Sequence, residues 1–307
     1  MSNILITGGS GFIGSHLTEI LVNKGNNVKV IDDLSNGRIE NLSKIRDKIN
    51  FLKLDVSKPF HTKIRNEPTP EIIFHLACYP RSLSFSNPIR DTEVNIIGMI
   101  NVLEYARKTD AKVIFSSNSG IYDTSKIPIN ERARDIPKTP YDLNKLTSEK
   151  YMKLYRETYG LEYVNFRFAT VYGPRQRTSP RWKPVVIEFI EKIDSGIAPT
   201  IYWDGEQTRD FIYVKDLVDA LYLSINCKRA IGETIILGSG IETSINQLFK
   251  KVCDQLNVSI NPEKGSKQLG DIKRMKYDCK KAYRILRWKA KTKLEQGIKE
   301  IIRCKHE

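Results

Sequence analysis

Two side chains in the middle of the sequence have the types and the spacing needed for proton transfer. Tyr141 and Lys145 are four residues apart at the start of a predicted helix that runs to about Tyr159, so they share one helix face. A nearby ammonium group favours phenolate and so lowers the pKa of a phenol. We therefore expect Tyr141 to accept or donate a proton near neutral pH, with Lys145 lowering its pKa.

Small polar side chains come before this pair. Val113–Ser116 is predicted as a strand, and the chain continues into Ser117, Asn118 and Ser119. Ligands of open α/β sheets bind at the carboxyl ends of the central strands. The hydroxyl and amide groups of this segment therefore lie where a ligand would bind.

A glycine-rich turn near the N-terminus predicts a dinucleotide site. Residues 7–14 (TGGSGFIG) join an apolar strand to an amphipathic helix. Gly8 allows the turn, Gly11 lets a pyrophosphate approach the backbone, and Gly14 lets the helix pack close to the strand. The N-terminus of the helix then offers unpaired N–H groups and a positive dipole end to the phosphates.

Acidic residues end or follow the next two predicted strands. Asp32 stands where a carboxylate binds the adenosine ribose hydroxyls, and it would repel a 2′-phosphate, which favours NAD over NADP, although Arg38 lies nearby. Asn36 and Gly37 could loop over the adenosine side. Asp55 could accept a hydrogen bond from the adenine amino group, or it could be an ordinary aspartate at a strand end.

A long helix is predicted over Pro88–Lys108, and much of it is apolar. Such a helix must cover both the sheet and something else, for which a partner subunit is the natural candidate. Asn95 on this helix either binds strand backbone near the cofactor or is a structural polar residue. His75 lies within an apolar strand, Glu71–Leu76, and is interpreted as a core histidine rather than a ligand or a base.

Composition limits the class of protein. The chain has 307 residues, of which 40% are hydrophobic, as expected for one or two domains of a soluble protein. No apolar run approaches the length of a membrane span, and the first predicted strand leaves no room for a signal peptide. The five cysteines are scattered without CxxC spacing, which argues against a disulfide framework and against a zinc or other metal site. We expect a cytoplasmic protein.

The net charge of +14 is uneven along the sequence. The last 45 residues hold 15 Lys and Arg against six Asp and Glu, and their apolar positions have helical spacing. A solvated helix face is the simplest interpretation, and attraction of an anionic small substrate is the next. Since no nucleic-acid recognition module is present, we expect no nucleic-acid partner.

In combination, these motifs resemble the extended short-chain dehydrogenase/reductase family, specifically its UDP-glucose 4-epimerase-like nucleotide-sugar enzymes. The resemblance covers nearly the whole chain. Its motifs, in chain order, are TGGSGFIG at 7–14, Asp32, Asp55-Val56, His75-Leu76-Ala77, Asn95, Tyr141–Lys145, VYGPRQ at 171–176, QTRDFIYV at 207–214 and Gly270-Asp271.

The resemblance implies an α/β protein: a Rossmann doubly wound parallel sheet holding NAD, with a smaller C-terminal α/β domain binding the nucleotide sugar. The NAD-binding domain would be 1–168 with 207–235 returning to it, and the second domain 169–206 with 236–307. A homodimer through Pro88–Lys108 and the Tyr141 helix is also implied.

Site residues follow from the motifs and the resemblance together. The expected cofactor contacts are Gly8, Gly11, Phe12, Ile13, Gly14, Asp32, Asn36, Gly37, Asp55, Val56, Leu76, Ala77, Asn95, Tyr141 and Lys145. Arg209 would bind the substrate pyrophosphate, because a guanidinium fork suits phosphate oxygens. Thr170 and Tyr202 would also contact the substrate, with Tyr202 lining the base pocket.

Three positions depart from the family pattern. Asn118 stands where the family has Ser or Thr, so either its amide keeps that role or Ser117 or Ser119 takes it. A second departure is Gln268 in place of an arginine, whose charge could come from Lys267 or Arg274. The third is Trp203 at a site that is usually glycine.

The expected reaction follows from one missing acid. The 4,6-dehydratases and decarboxylases of the family carry acidic residues where this chain has Ser119-Gly120. We therefore expect chemistry at C4 alone, namely 4-epimerisation of a UDP-glucose or UDP-galactose type of sugar, with NAD regenerated in each turnover. A dehydrogenase or reductase acting at C4 with net redox is the main alternative, and a non-catalytic nucleotide-binding protein is the other.

Overall fold

The computed structural model describes residues 1–64, 68–178, 183–267 and 272–306. Gln268 and Gly270-Asp271 lie outside the described residues. Within these ranges the strands are β1 (Asn3–Thr7), β2 (Asn27–Asp32), β3 (Ile49–Lys53), β4 (Ile72–His75), β5 (Lys112–Asn118), β6 (Tyr163–Phe168), β7 (Thr170–Tyr172), β8 (Thr200–Tyr202), β9 (Thr208–Tyr213), β10 (Thr234–Leu237), β11 (Glu242–Ser244) and β12 (Glu263–Gly265).

Helices alternate with most of these strands. The α-helices in the described ranges are α1 (Phe12–Asn23), α2 (Pro88–Thr92), α3 (Gly98–Thr109), α4 (Pro140–Tyr159), α5 (Val185–Asp194), α6 (Val214–Leu223), α7 (Ile245–Leu256), α8 (Lys280–Leu286) and α9 (Leu294–His306). The side chain of Thr139 caps the start of α4, and Gly160 ends it at a positive φ of 74°. These two residues fix the length of the helix that carries Tyr141.

The predicted doubly wound sheet is confirmed. Its order is β10-β6-β5-β4-β1-β2-β3, and β1 to β6 pair with their neighbours in parallel. The strand order reverses between β1 and β4, so a crevice opens outside the carboxyl ends of these two strands. This is where the glycine turn and the segment after His75 leave the sheet.

The core of this sheet explains why the strands are nearly uninterrupted apolar runs. Leu5, Ile73 and Val113 come from three neighbouring strands and are buried in one cluster with Val102 and Ala106 of α3. Parallel strands covered by helices need apolar side chains on both faces. His75 also lies in this core, as predicted, fully buried at the end of β4.

The helix predicted over Pro88–Lys108 forms in three consecutive parts. Between α2 and α3, residues Glu93–Ile97 make a π-helical turn that contains Asn95. A π turn inserts one extra residue and so changes the direction in which the following side chains point, and such turns are frequent at functional sites.

The chain divides into two compact units. The first contains Met1–Ile121, Ile136–Phe168 and Val218–Ile235, and the second contains Tyr122–Asp135, Ala169–Leu217 and Ile236–Glu307. Residues 122–135 and 207–217 thus group with the second unit, whereas the sequence placed both in the NAD-binding domain. Backbone pairing explains the difference, because β9 lies between β7 and β11, and Ile129 bridges to Tyr277.

The second unit has small sheets of its own. In the described residues they are β11-β9-β7, with β9 antiparallel to β11 and parallel to β7, and the parallel pair β12-β8. No helix in the part of the chain described is long and apolar enough to cross a membrane. Nor does that part contain a cluster of three or more His, Cys, Asp or Glu side chains suited to a metal ion.

Candidate active site

A cavity in the first unit opens where β1 to β5 end. Its volume is about 1120 Å³, including the part open to solvent. Most of the predicted cofactor contacts line it, namely Gly8, Gly11, Phe12, Ile13, Gly14, Asp32, Asn36, Gly37, Asp55, Val56, Leu76, Ala77 and Tyr141. Ser117, from the proposed catalytic group, lines it as well.

The glycine turn is shaped by contacts that no other residue would permit. Gly8 has a φ of 74°, and a Cβ atom there would lie 2.6 Å from the backbone nitrogen of Ala77. At Gly14 a Cβ atom would lie 2.0 Å from the carbonyl oxygen of Gly8. The turn therefore needs glycine at both positions for the protein's own packing, whether or not a ligand is bound.

Gly11 differs from these two glycines. Its Cβ atom would lie 3.3 Å from the Gly8 carbonyl oxygen, a tight contact that a shift of a few tenths of an ångström relieves, so the protein's own packing demands glycine less strongly there. Gly11 is the N-cap of α1, no side chain caps that helix end, and its first turn carries no acidic residue. A phosphate group fits this arrangement, because the open cradle at Gly11 faces N–H groups and a positive dipole end.

The ribose end of the cavity is organised by Asp32. One carboxylate oxygen accepts from the backbone N–H of Ser10 at 3.0 Å, and the other from that of Leu34 at 2.9 Å. A Cβ atom at Gly37 would lie 2.9 Å from both carboxylate oxygens. Gly37 therefore allows the loop after β2 to approach this buried carboxylate closely.

Asp55, at the same end, is held by a neighbour that the sequence did not reveal. Its oxygens accept from the backbone N–H of Ser57 at 2.8 Å and from the Arg90 guanidinium at 2.7 Å. Burial by itself would raise the pKa of Asp55, but the hydrogen bonds from Arg90 and Ser57 outweigh it and lower the pKa. The carboxylate is thus ionised, which strengthens it as an acceptor for an adenine amino group.

The environment of Tyr141 differs from the prediction. Withdrawal of its hydroxyl from water raises the pKa of Tyr141 well above the ordinary value, and the Cys78 thiol and the Asp142 carboxylate raise it further. Its hydroxyl shares a hydrogen bond with the Cys78 side chain. The net shift of the Tyr141 pKa is thus upward, and a lowering by Lys145 stays a prediction.

The Lys145 ammonium lies near the Tyr141 ring and is bound to a backbone carbonyl oxygen. Its ammonium donates to the carbonyl oxygen of Ser116 at 2.8 Å and lies 5.5 Å from the centre of the Tyr141 ring and 4.6 Å from that of Phe115. Burial lowers the pKa of Lys145, while the carboxylates of Asp91 and Glu149 oppose that shift. The ammonium is therefore held near the tyrosine ring, where a backbone carbonyl oxygen accepts one of its hydrogen bonds.

The polar residues at the end of β5 are each bound to a protein partner. Ser117 donates to Glu149, and Ser119 donates to the carbonyl oxygen of Phe168 at 2.6 Å. The Asn118 amide donates to Asp142 and accepts from the backbone N–H of Gly120 at 3.0 Å. Of these three, only Ser117 is among the residues that line the cavity.

Asp142 is a buried acid that the sequence analysis overlooked. Besides Asn118, it accepts two hydrogen bonds from the Arg81 guanidinium, at 3.0 and 3.1 Å. Its side chain has no exposed surface, while that of Arg81 is 47% exposed. An acid is therefore present next to Tyr141, but a bidentate ion pair and an amide hold its oxygens.

Asn95 does not line the cavity itself but contacts a residue that does, Tyr79. Its amide oxygen accepts from the backbone N–H of Tyr79 at 3.2 Å, and its amide nitrogen donates to Asp91. Asn144 of α4 donates to the other oxygen of Asp91 at 2.9 Å. Of the two interpretations of Asn95, the structure favours contact with backbone near the cofactor site, here the segment after β4.

His75 has no access to this chemistry. Its Nδ1 lies 2.7 Å from the Thr7 hydroxyl, and its ring stacks on Phe115. Burial, aided by the nearby charge of Lys145, lowers the pKa of His75 to about 3. The imidazole is therefore neutral and part of the core.

Comparison with known proteins identifies the family. The model of the family described as GDP-mannose 4,6 dehydratase matches residues 5–301. The chain belongs to the extended short-chain dehydrogenases/reductases. Known relatives include the UDP-glucose 4-epimerase of Mycolicibacterium smegmatis, 34% identical over 97% of this chain and 96% of the relative.

Solved structures of this family agree. The structure of a Thermotoga maritima UDP-glucose 4-epimerase with UDP-glucose superposes with a TM-score of 0.94 at 35% identity, covering 99% of this chain and 100% of that one. A Thermus thermophilus UDP-glucose 4-epimerase in complex with NAD has a TM-score of 0.88 at 29% identity, with 98% of each chain covered. The family also contains other reactions, since a UDP-glucuronic acid decarboxylase of Arabidopsis thaliana is 32% identical over 96% of this chain and 86% of its own length.

The substrate contacts expected from this family lie on the second unit. Thr170 is on β7 and Arg209 on β9, and these strands pair. The Arg209 guanidinium donates to two backbone carbonyl oxygens, of Thr208 and Ile272, both at 2.8 Å. Tyr202 ends β8 and is 41% exposed.

Arg274 is bound to a carboxylate of the second unit. Its guanidinium makes two hydrogen bonds to Glu242, both of 2.7 Å. Trp203 adopts a positive φ of 61°, the conformation that the family's usual glycine favours, and the Lys267 ammonium lies 4.1 Å from its ring centre. The Lys267 ammonium thus lies over the ring of Trp203, the residue that departs from the family pattern. The Arg274 guanidinium is paired with Glu242.

Several cavity residues escaped the sequence analysis. They are Ile31, Asp33, Ser35, Leu54, Cys78, Tyr79, Arg90, Val94, Ser116 and Phe168. Most are neighbours in sequence of predicted residues, so the rule that ligands meet strand ends could have included them. Arg90 had no such signal, because it reaches the cavity from α2 through its long side chain.

Proposed function

We propose that this protein is an NAD-dependent nucleotide-sugar 4-epimerase acting on UDP-glucose and UDP-galactose. The observation that supports this proposal most strongly is that Tyr141 lines the same cavity as the glycine turn. The Lys145 ammonium lies 5.5 Å from the centre of the Tyr141 ring. Relatives that carry the 4-epimerase name at 34–35% identity over nearly the whole chain support the same activity.

NAD fits the cavity of the first unit. Gly11 leaves an open cradle for the pyrophosphate at the start of α1, Asp32 stands at the end of β2 for the ribose hydroxyls, and Asp55 is ionised for the adenine amino group. When bound, NAD takes up the hydride of the sugar C4 and returns it.

The residues of the chain then supply the proton chemistry. Tyr141 takes the proton of the 4-hydroxyl as the hydride leaves C4, and gives it back to the same oxygen after the sugar has turned. Lys145 keeps a positive charge behind the Tyr141 ring, which favours phenolate whenever the hydroxyl is freed from Cys78. The Asn118 amide, fixed by Asp142 and Gly120, positions the end of β5 beside them.

The lack of an available acidic side chain near this site, among the residues that the structure describes, favours epimerisation over elimination. Ser119 donates to a backbone carbonyl, and Gly120 has no side chain, so neither can act as an acid or a base. Asp142 lies next to Tyr141 in the chain, but Arg81 and Asn118 occupy its oxygens. Chemistry confined to C4 needs only Tyr141 for proton transfer.

We assign substrate binding to the second unit, which includes the segments 169–206 and 236–307. Arg209 would bind the pyrophosphate, Thr170 the sugar side and Tyr202 the base, with Arg274 as a further cation. One nitrogen of the Arg209 guanidinium donates to two carbonyl oxygens, which fixes the side chain in place on β9.

We also propose a homodimer through the helices of the first unit. Ile89 and Ile97, in α2 and the π turn, are 75% and 44% exposed, and Leu143 and Leu154 of α4 are both 52% exposed. Exposed apolar side chains grouped on neighbouring helices indicate a protein interface. Light scattering should give twice the mass of the chain, and a monomer mass would contradict this part of the proposal.

Proton NMR of the purified protein tests the activity. The protein is mixed with UDP-galactose and, separately, with UDP-glucose, with no cofactor added. Growth of the anomeric signal of the C4 epimer from either side supports the proposal, and the final ratio must be the same from both. A product that forms only with stoichiometric added NAD, or that is oxidised, would favour a net-redox enzyme instead.

A further inference from the structure

Arg90 is the centre of a charged cluster at the adenosine end of the cavity. Its guanidinium lies 2.7 Å from Asp55, 3.0 Å from Glu93 and 3.8 Å from Asp33. It also donates to the Ser57 hydroxyl at 2.9 Å. The side chain is 28% exposed and is among those that line the cavity.

This cluster joins three separate parts of the first unit. Asp33 follows β2, Asp55 follows β3, and Arg90 comes from α2, so a single guanidinium spans the two strand ends between which the adenosine half of a dinucleotide would lie. Without Arg90, the carboxylates of Asp33 and Asp55 would face the same space uncompensated. Burial tends to lower the pKa of Arg90, but its bonds to Asp55 and Glu93 raise it, so the cation is permanent.

Arg38, the arginine that the sequence analysis singled out near the ribose site, is placed differently. Its backbone N–H donates to the carbonyl oxygen of Ser10 at 3.1 Å, and the residue is exposed. It is not among the residues that line the cavity, whereas Arg90 is. The arginine that matters for the adenosine end is therefore the one on α2.

We infer that Arg90 is a positioning residue for the adenosine half of the dinucleotide: it lines the cavity and holds the Asp55 carboxylate there, with Asp33 3.8 Å from the same guanidinium nitrogen. The inference rests on the proposed use of NAD. One guanidinium nitrogen donates to Asp55 and the other to Glu93 and the Ser57 hydroxyl, a planar arrangement of donors that a lysine ammonium, acting as a point charge, would not reproduce. Loss of Arg90 should release NAD without removing any group that acts on the sugar.

Calorimetric titration of the protein freed of retained NAD with ADP-ribose, which carries the adenosine half and the pyrophosphate, tests this inference directly. In Arg90→Ala, we expect the affinity for ADP-ribose to fall on the order of tenfold to hundredfold, as is typical when a hydrogen bond to a charged group is lost. The absorbance ratio at 260 and 280 nm of the purified variant should also show less retained NAD. Arg90→Lys should fall between wild type and Arg90→Ala.

Arg107→Ala is the matched control. Arg107 also pairs with a glutamate three residues away, Glu104 at 2.8 Å, but on α3 and outside the residues that line the cavity. It should bind ADP-ribose as wild type does. If Arg90→Ala and Arg90→Lys both bind ADP-ribose within twofold of wild type, or more tightly, the inference is wrong.

The proposed function fails differently. If wild type neither retains NAD on purification nor binds ADP-ribose, then the use of NAD itself is in error. If Arg90→Ala loses thermal stability so strongly that it cannot be titrated, Arg90→Lys keeps the charge and decides the question through its ADP-ribose affinity. A wild-type affinity in that variant would show that the arginine fork is not needed.

Discussion

The two ends of the cavity are built in opposite ways. At the glycine turn, the shape comes from missing side chains, because a Cβ atom at Gly8 or Gly14 would strike backbone atoms at 2.6 and 2.0 Å. Around Tyr141, the shape comes from side chains that hold one another, such as Lys145 on the carbonyl oxygen of Ser116 and Asn118 on Asp142.

This difference determines how each end of the cavity responds to amino-acid substitutions. Backbone cannot move far without disturbing the sheet, so the glycine end has little room for adjustment. A hydrogen-bonded group of side chains can lose one member and keep its outline, although its proton affinities change. We therefore expect substitutions at the glycine turn to affect folding and binding, and those around Tyr141 to affect turnover and its pH dependence.

The largest effect on turnover should come from Tyr141→Phe. Removal of the hydroxyl removes the proposed proton acceptor, and we expect kcat to fall about 10³-fold, within the usual range for loss of a general acid or base. Retained NAD, measured after denaturation, should stay at the wild-type level. Tyr159→Phe, on the same helix and 54% exposed, is the control and should be as active as wild type.

Gly14→Ala should cause the largest loss of stability. The added methyl group would lie 2.0 Å from the Gly8 carbonyl oxygen, so the turn and α1 must separate, and we expect a loss of about 3 kcal/mol in the free energy of unfolding. Urea denaturation measures it.

Gly11→Ala separates the demands of the protein from those of the ligand. The methyl group would lie 3.3 Å from the same carbonyl oxygen, and the cost in stability should be less than about 1 kcal/mol. Affinity for ADP-ribose should nevertheless fall, because the methyl group occupies the open cradle. Equal stability losses in Gly11→Ala and Gly14→Ala would contradict the contrast between the two glycines.

The smallest effect should be a shift in pH dependence in Cys78→Ala. Burial is the main reason that the pKa of Tyr141 is raised, and Cys78 adds to it. Without the thiol the pKa of Tyr141 falls, so the rise of kcat/KM with pH should move to lower pH. Cys304→Ala, at an exposed cysteine of α9, should leave the profile unchanged, and an unshifted profile in Cys78→Ala would show that the thiol does not act on Tyr141.

The features that could be predicted from the sequence are those that depend on residues close together along the chain. The doubly wound sheet, the turn at 7–14 and the aspartate that ends β2 follow from periodic apolar residues and glycine spacing, and the fold is confirmed. Residues that line the cavity because they follow a strand, such as Asp55 and Ala77, could be named for the same reason.

What the sequence did not predict depends on contacts between distant segments. Spacing placed Lys145 on the same helix face as Tyr141, but not the carbonyl oxygen of Ser116 that holds its ammonium or the thiol of Cys78. The net rise of the Tyr141 pKa could not be predicted either, because it comes first from burial and then from Cys78 and Asp142. Arg90 was missed because its partners, Asp33 and Asp55, come from strands that lie far from α2 along the chain.

The edge strand β10 has a consequence for how the protein is made. It pairs with β6 but comes about 70 residues later, at Thr234–Leu237. During synthesis on the ribosome, β6 therefore keeps an open edge until residues 169–233 and then β10 itself have emerged. A chain shortened to residues 1–168 would keep that edge open and should aggregate, and the same interval is when a chaperone would be needed.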